Sequence, residues 1–409
     1  NDDTSDQFAL EMALARIRQL SAHEVGHTIG LAHNFAASSK GRSSVMDYPH
    51  PTLSLNNGEV DFTDAYDTKI GDWDKVSIAY SYSEFKTDED ANLKSILNDA
   101  FNNGARFITD QDARPLGSAH AYAHLWDNGS DVSVELENLL LIRKNAIANF
   151  SKDNIKSNQP YSVLEDVFVP LYFLHRYQTE GVAKVIGGLD YTYAIKDDGN
   201  TIVKRIPGKL ERKALASVIK TLSVEELAIP KKILNLFPPR AFNYGRTRES
   251  FKSKTGVAFD PFGAVETASS MTLGLLLHPE RVTRLVQHKS LDSSQLGLVE
   301  VLDEVIVNSF QKSNKDPYYQ ELQNIVNYQV LNHLFHLSSN KNMYWQVNAI
   351  VNDKIDTISS LLSNSKATGI QKIYQKDMIK MISNFKKNPT KFKKPITPKI
   401  PDGSPIGNN

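Results

Sequence analysis

The 409-residue sequence contains no cysteine. That excludes disulfides, thiolate nucleophiles, cysteine zinc fingers and iron–sulfur clusters. It also lacks an excess of either charge. Its 47 basic residues balance 47 acidic ones, so no overall field steers it to nucleic acid or an anionic membrane. Long hydrophobic runs are missing too. The strongest, Val167–Leu174 (interrupted by Pro170) and Met271–Leu277, fall far short of the ~20 residues that span a bilayer. No signal-peptide pattern is visible, and a chain beginning at Asn1 reads as a mature or excised piece. What is present, 40% hydrophobic residues over this length, is ample for a sizeable core.

Helical periodicity dominates. Leu10, Leu14 and Ile17 recur at i, i+4 and i+7, which predicts one helix over Gln7–Ile29, with Thr4 or Ser5 as its cap and Gly30 as its stop. Ala32–Asn57 is irregular, Asp72–Tyr80 reads as a short helix, and Thr87–Asp131 is rich in turn signals. Beyond Val132, Ser162-Val-Leu-Glu165 reads as a capping box opening a helix towards Ile186, and Ser223-Val-Glu-Glu226 as another. Alternation at Tyr191, Tyr193 and Ile195, a turn at Asp198-Gly199 and then Ile202-Val203 predict a β-hairpin. Ala264–Leu277, Leu296–Gln311, Tyr318–Leu337 and Tyr344–Leu362 read as amphipathic helices. Lys386–Asn409, with six Lys and five Pro, reads as an extended or disordered tail.

One stretch carries chemistry: His23-Glu24-Val25-Gly26-His27-Thr28-Ile29-Gly30-Leu31-Ala32-His33. His23 and His27 share one helix face, about 6 Å apart along the axis, so two imidazoles can converge on one metal at ~2.1 Å each. Glu24 lies one residue on, where its carboxylate reaches the open side of the metal and can take a proton from a water held there. Gly30 allows the left-handed turn that brings His33 back as a third ligand. Three protein ligands leave a fourth position for water, the arrangement of a catalytic zinc site. A bare HExxH arises by chance in roughly one chain in a hundred. The added Gly and His lower that to about one in a hundred thousand, so a merely solvated helix is the weaker reading. The i, i+4 pair His120 and His124 sits beside turn signals with no following Glu, and His333 and His336 lie on a mostly apolar helix. Both pairs read as structural.

The extended motif, followed by Ser44-Val-Met-Asp-Tyr-Pro49, whose Met46 lies thirteen residues after His33, resembles the metzincin clan of zinc metallopeptidases. The resemblance implies that Met46 forms the hydrophobic base beneath the three histidines, and that Tyr48 can stabilise a tetrahedral oxyanion. Further stretches, Leu31–Phe35, Ile70–Lys75, Trp126–Asp131, Gly187–Tyr193, Phe237–Arg240 and Gly403–Gly407, look like a bacterial, Bacteroidetes-type family of zinc-dependent metallopeptidases described as a Met-zincin domain. That implies a peptide or protein substrate and an exported setting, periplasmic, cell-surface or secreted. A metzincin domain has a substrate-holding sheet ahead of the active-site helix. Here that helix starts almost at residue 1, so the sheet is expected in an upstream region of the same precursor. Its absence should leave apolar surface on the outer face of the Gln7–Ile29 helix, a face a homodimer could cover.

The expected architecture is therefore mainly α: the lower half of a metzincin-like catalytic domain followed by a helical C-terminal domain with one β-hairpin. The expected borders are a zinc-site subdomain over 1–85, a loop-rich connector over 86–135, the helical domain over 136–385 and the Lys/Pro-rich tail over 386–409. The expected cofactor is one Zn2+ per chain on His23, His27 and His33, with Glu24 and Tyr48 catalytic and Gly30 and Met46 structural. Asp110, Asp112, Asp127 and Asp131 form an acidic, turn-rich neighbourhood in which calcium is a weaker alternative to Asx turns and caps. The competing function class is a helical binding or scaffold module whose zinc site is structural or vestigial. An intact Glu24 argues against it, since a structural site has no use for a base.

Overall fold

A computed structural model of the protein describes residues 3–247, 250, 253–398 and 400–401. The Gly403–Gly407 motif lies outside them. The fold is mainly α, with two small two-stranded sheets among the described residues. In chain order, α1 is Asp3–Thr28, β1 Ser54–Asn56, β2 Glu59–Asp61, α2 Asp72–Tyr82, α3 Glu89–Asn102, α4 Asp110–Ala113 and α5 Val132–Ala148. There follow α6 Leu164–Tyr172, α7 Arg176–Val185, β3 Leu189–Tyr191, β4 Val203–Arg205, α8 Gly208–Lys220, α9 Val224–Leu227 and α10 Lys231–Leu234. The last six are α11 Pro261–Leu276, α12 Pro279–Leu291, α13 Leu298–Val307, α14 Pro317–Ser339, α15 Trp345–Ser363 and α16 Gly369–Lys387. Among the described residues, no helix is long and apolar enough to cross a membrane.

The chain forms two compact units. Among the described residues, one takes those up to Asn145 and His175–Ile206; the other takes Ala146–Leu174 and those within Pro207–Gly403. These units do not follow the expected consecutive borders, because α7 and the β3–β4 hairpin return to the first unit.

In the first unit α1 buries a polar face. Arg16, Gln19 and His23 are each 5% exposed and Gly26 is buried with them. Leu10, Leu14, Ile17 and Val25 form an exposed stripe, the apolar outer face anticipated above. The helix starts at Asp3, ahead of Thr4 and Ser5, so neither residue is its cap. It ends as the sequence demands. Gly30 has φ +84°, its N–H donates to His27 O, and Leu31 N–H donates to Gly26 O, the two bonds of a Schellman stop. Asn57-Gly58, both with positive φ, close the unanticipated β1–β2 hairpin. The region read as a loop-rich connector contains α3. Its turn signal Asn102-Asn103-Gly104 terminates a 14-residue helix rather than marking a long loop. The expected hairpin exists but is short, pairing Leu189 with Arg205 and Tyr191 with Val203. Ile195 and Ile202, beyond the paired residues, are exposed.

In the second unit α11 packs on α14, α15 packs on α14, and α16 packs on α15 and α14. Leu322, Val326, Val330, Leu334 and Phe335 of α14 are fully buried. The single helix expected from Ser162 towards Ile186 is broken into a 3-10 turn, α6 and α7. Ser162 lies within the 3-10 turn, where its hydroxyl accepts from Ala241 N–H instead of capping a helix. Ser223 does cap α9, accepting from Glu226 N–H. Arg240, of the Phe-Pro-Pro-Arg stretch, clamps Asp166 with two 2.7 Å hydrogen bonds. The described part of the Lys/Pro-rich tail is not loose. Phe392 packs on Phe335 and Phe385, and Thr397 Oγ1 lies 3.2 Å from Ser270 Oγ.

Candidate metal centre

The site is built on α1 and the segment that follows its Schellman turn. His23 is buried, His27 exposed and His33 between the two. Each imidazole has its Nδ1 held by an oxygen that can only accept: His23 on Val45 O at 2.6 Å, His27 on Leu31 O at 3.0 Å and His33 on Asp110 Oδ2 at 2.9 Å. The proton therefore sits on Nδ1 in all three, and Nε2 keeps its lone pair. The ligand nitrogens lie within 4.8 Å of one another, and His27 Nε2 and His33 Nε2 are 3.1 Å apart. Two lone pairs facing at that distance repel unless a cation or proton lies between them. Two ligands of a tetrahedral zinc at ~2.1 Å sit about 3.4 Å apart, so the three nitrogens fit such an ion. Burial lowers the pKa of His23, with the neighbouring His27 and His33 adding to the shift, which favours the neutral, ligating form.

Asp110 is the functional residue the sequence reading missed in this role. Burial alone would raise its carboxyl, but hydrogen bonds from His33 and Arg114 outweigh that and bring it down to about 2. Its Oδ1 accepts from Arg114 Nε at 2.5 Å, and Arg114 Nη2 lies 3.4 Å from Tyr48 Oη. One chain of contacts thus runs from His33 through Asp110 and Arg114 to Tyr48. Tyr48 itself packs against His33, His23 and Trp126, at ring-centre distances of 4.9, 5.5 and 5.0 Å. Glu24 is exposed on α1, one residue past His23.

Met46, 1% exposed, lies against α1 at Gly26: a Cβ added there would come within 2.3 Å of its sulfur. This close approach is the physical reason for glycine inside the His–Glu–x–x–His spacing. Asp74 pins the turn before Met46. One carboxylate oxygen accepts from Ser44 Oγ at 2.6 Å, the other from the backbone N–H of Val45 and Gly71 at 2.8 and 2.6 Å. Gly71 is needed because a Cβ would meet the Ser43 backbone at 2.1 Å. That accounts for the Ile70–Lys75 stretch. Asn34 ties the segment after His33 to its neighbour, donating to Arg106 O and accepting from Ile108 N–H. Phe35, Ile108 and Trp126 form the buried cluster beside it. Trp126 N–H donates to Tyr48 O, and Asp190 pairs with Arg106, which place the Trp126 and Gly187 stretches around the same frame.

The four aspartates do not converge on one site. Asp110 serves His33, Asp112 accepts from Tyr191 and Tyr193, Asp127 accepts from Ser38, and Asp131 caps α5 through Ser133 and Val134 N–H. His120 is satisfied by Tyr191 O and Tyr122 N–H, in keeping with its structural reading. Among the described residues, His23, His27 and His33 are the group of three or more that can hold a metal.

Three convergent imidazoles, with a buried methionine packed on their helix, could hold a metal ion in the three-histidine arrangement found in zinc enzymes. The family described as Met-zincin matches residues 5–317, and the chain belongs to it. No curated protein and no solved structure matches the chain.

Proposed function

We propose that the protein is a zinc-dependent metallopeptidase acting on a peptide or protein substrate, with one zinc held by His23, His27 and His33. The observation that carries this reading is the convergence of three Nε2 atoms whose Nδ1 protons are all engaged elsewhere. Bound zinc supplies a Lewis acid that brings the pKa of a water towards ~7 and polarises a carbonyl.

The remaining work falls to side chains. Glu24 takes the proton of the attacking water and returns it to the leaving amine. Tyr48 accepts from Arg114, which leaves its own O–H free to donate to a developing oxyanion. Asp110 fixes the ring orientation of His33 and the position of Arg114. Met46 and Asp74 hold the turn whose Val45 carbonyl orients His23.

Glu24→Gln tests the role of the base. Gln is nearly isosteric but cannot accept the proton, so zinc content should stay at one per chain while peptide hydrolysis falls about 10²–10⁴-fold. A loss smaller than about tenfold removes Glu24 from that role.

A further inference from the structure

Beside the turn that carries Met46 lies a second polar cavity of about 20 Å³, room for one water or one ion. Gln19, Ser38, Ser44, Asp47, Asp127 and Asn128 line it, an oxygen-rich set with no histidine or cysteine. Asp47 and Asp127 are 6% and 3% exposed. Ser38 joins them, its N–H donating to Asp47 Oδ2 at 3.1 Å and its Oγ to Asp127 Oδ2 at 3.3 Å. Asp47 Oδ1 accepts from Tyr48 N–H. Asp127 Oδ1 is buried with no hydrogen-bond partner among the described residues.

Arg42 and Lys69 also line the cavity, but Arg42 pairs with Asp67 at 2.6 Å and Lys69 is exposed. The buried Lys184 ammonium donates to the carbonyls of Ala113 and Ala123 and draws the Asp127 carboxyl down, though by less than burial raises it. Two carboxylates withdrawn from water, one with an orphaned oxygen, are costly unless a cation or shared proton neutralises them. Burial raises both carboxyls, Asp127 to about 7, as expected for negative charge that the side chains alone do not offset.

We propose that this cavity binds one calcium ion between Asp47 and Asp127, bracing the turn that bears Met46, Tyr48 and the Val45 carbonyl. The carboxylate, hydroxyl and amide oxygens of the lining suit a hard cation and not zinc, and two carboxylates balance a divalent charge. The site shares no ligand with the three-histidine centre, and its occupancy can be read without any assay of hydrolysis.

Terbium, a luminescent stand-in for calcium, probes the site directly, because Trp126 and Tyr48 adjoin its two carboxylates in sequence. Zinc-loaded protein titrated with TbCl3 and excited in the tryptophan band should give sensitised emission that saturates at one equivalent and is displaced by CaCl2. Asp127→Asn should weaken terbium binding about tenfold or more while zinc stays bound. His27→Ala should lose zinc and keep the terbium signal. As a check that needs no variant, CaCl2 should raise the melting temperature of the zinc-loaded wild type. No sensitised emission and no calcium-dependent melting shift would overturn the proposal in favour of a shared proton. Emission unchanged in both Asp127→Asn and Asp47→Asn would place any ion elsewhere and overturn it equally.

Discussion

Replacing Gly26 with alanine sets two effects of opposite sign against each other. In a helix interior, glycine to alanine ordinarily stabilises by about 0.5–1 kcal/mol. Here the new methyl would lie 2.3 Å from Met46 Sδ and 3.3 Å from its Cε. Met46 is 1% exposed and has little room to yield. Overpacking of this kind costs about 1–3 kcal/mol, so Gly26→Ala should destabilise the protein by about 0–2.5 kcal/mol net. In a Met46→Ala background the obstruction is gone, and the same substitution should stabilise by about 0.5–1 kcal/mol. The coupling between the two sites is then about 1–3 kcal/mol. The displaced turn also carries Val45 O, which holds His23 Nδ1 at 2.6 Å, so zinc affinity should fall in the single variant and recover in part in the double. Urea unfolding of the four zinc-loaded proteins, with a chelator competition on each, reads both quantities. Gly26→Ala raising the urea midpoint equally in both backgrounds would refute a hard contact between Met46 and α1.

Two further outcomes follow from the same contacts. Asp110→Asn keeps an acceptor for His33 Nδ1 but loses the charge that also anchors Arg114, so the zinc Kd should rise about 10–100-fold by chelator competition, and an unchanged Kd would deny Asp110 its positioning role. Acid should destabilise the fold below neutral pH, because burial holds His50 and His120 near pKa about 4 and His333 near about 3. The unfolded chain takes up these protons near pH 6.5 and the folded chain does not. Each histidine therefore makes stability rise with pH between about 4 and 6.5, by roughly 1.4 kcal/mol per pH unit at most; the raised Asp47 and Asp127 carboxyls act in the opposite sense, and the three histidines outweigh the two. A urea midpoint unchanged between pH 7 and 4.5 would contradict this.

The three-histidine cluster was legible because its pattern is local. His23, His27, Gly30 and His33 are set by helix periodicity and one left-handed residue, and α1 stops at Gly30 as read. Residues acting from a distance were not legible. Asp110 reaches His33 across 77 positions, and Asp74 reaches Ser44 across 30, separations at which no local pattern operates. Nothing local in the motif shows why position 26 is glycine; the reason is the sulfur of Met46, which lies against it. The β1–β2 hairpin carried a readable signal in Asn57-Gly58, hidden by strands of three residues each. The break between α6 and α7 was hidden by continuous helical patterning. Ser162 looked like a cap but bonds to Ala241, 79 residues away. The long amphipathic helices α11, α14 and α15 were found close to their observed bounds because periodicity over four or more turns is hard to mistake.

The central claim is that His23, His27 and His33 together hold one metal ion. The most direct measurement is zinc content by emission spectrometry after loading and removal of excess metal, on the wild type and on His27→Ala. The account predicts one zinc per chain in the wild type and loss of most of it in the variant, whose fold is verified by circular dichroism. Full zinc occupancy in a folded His27→Ala protein would contradict it.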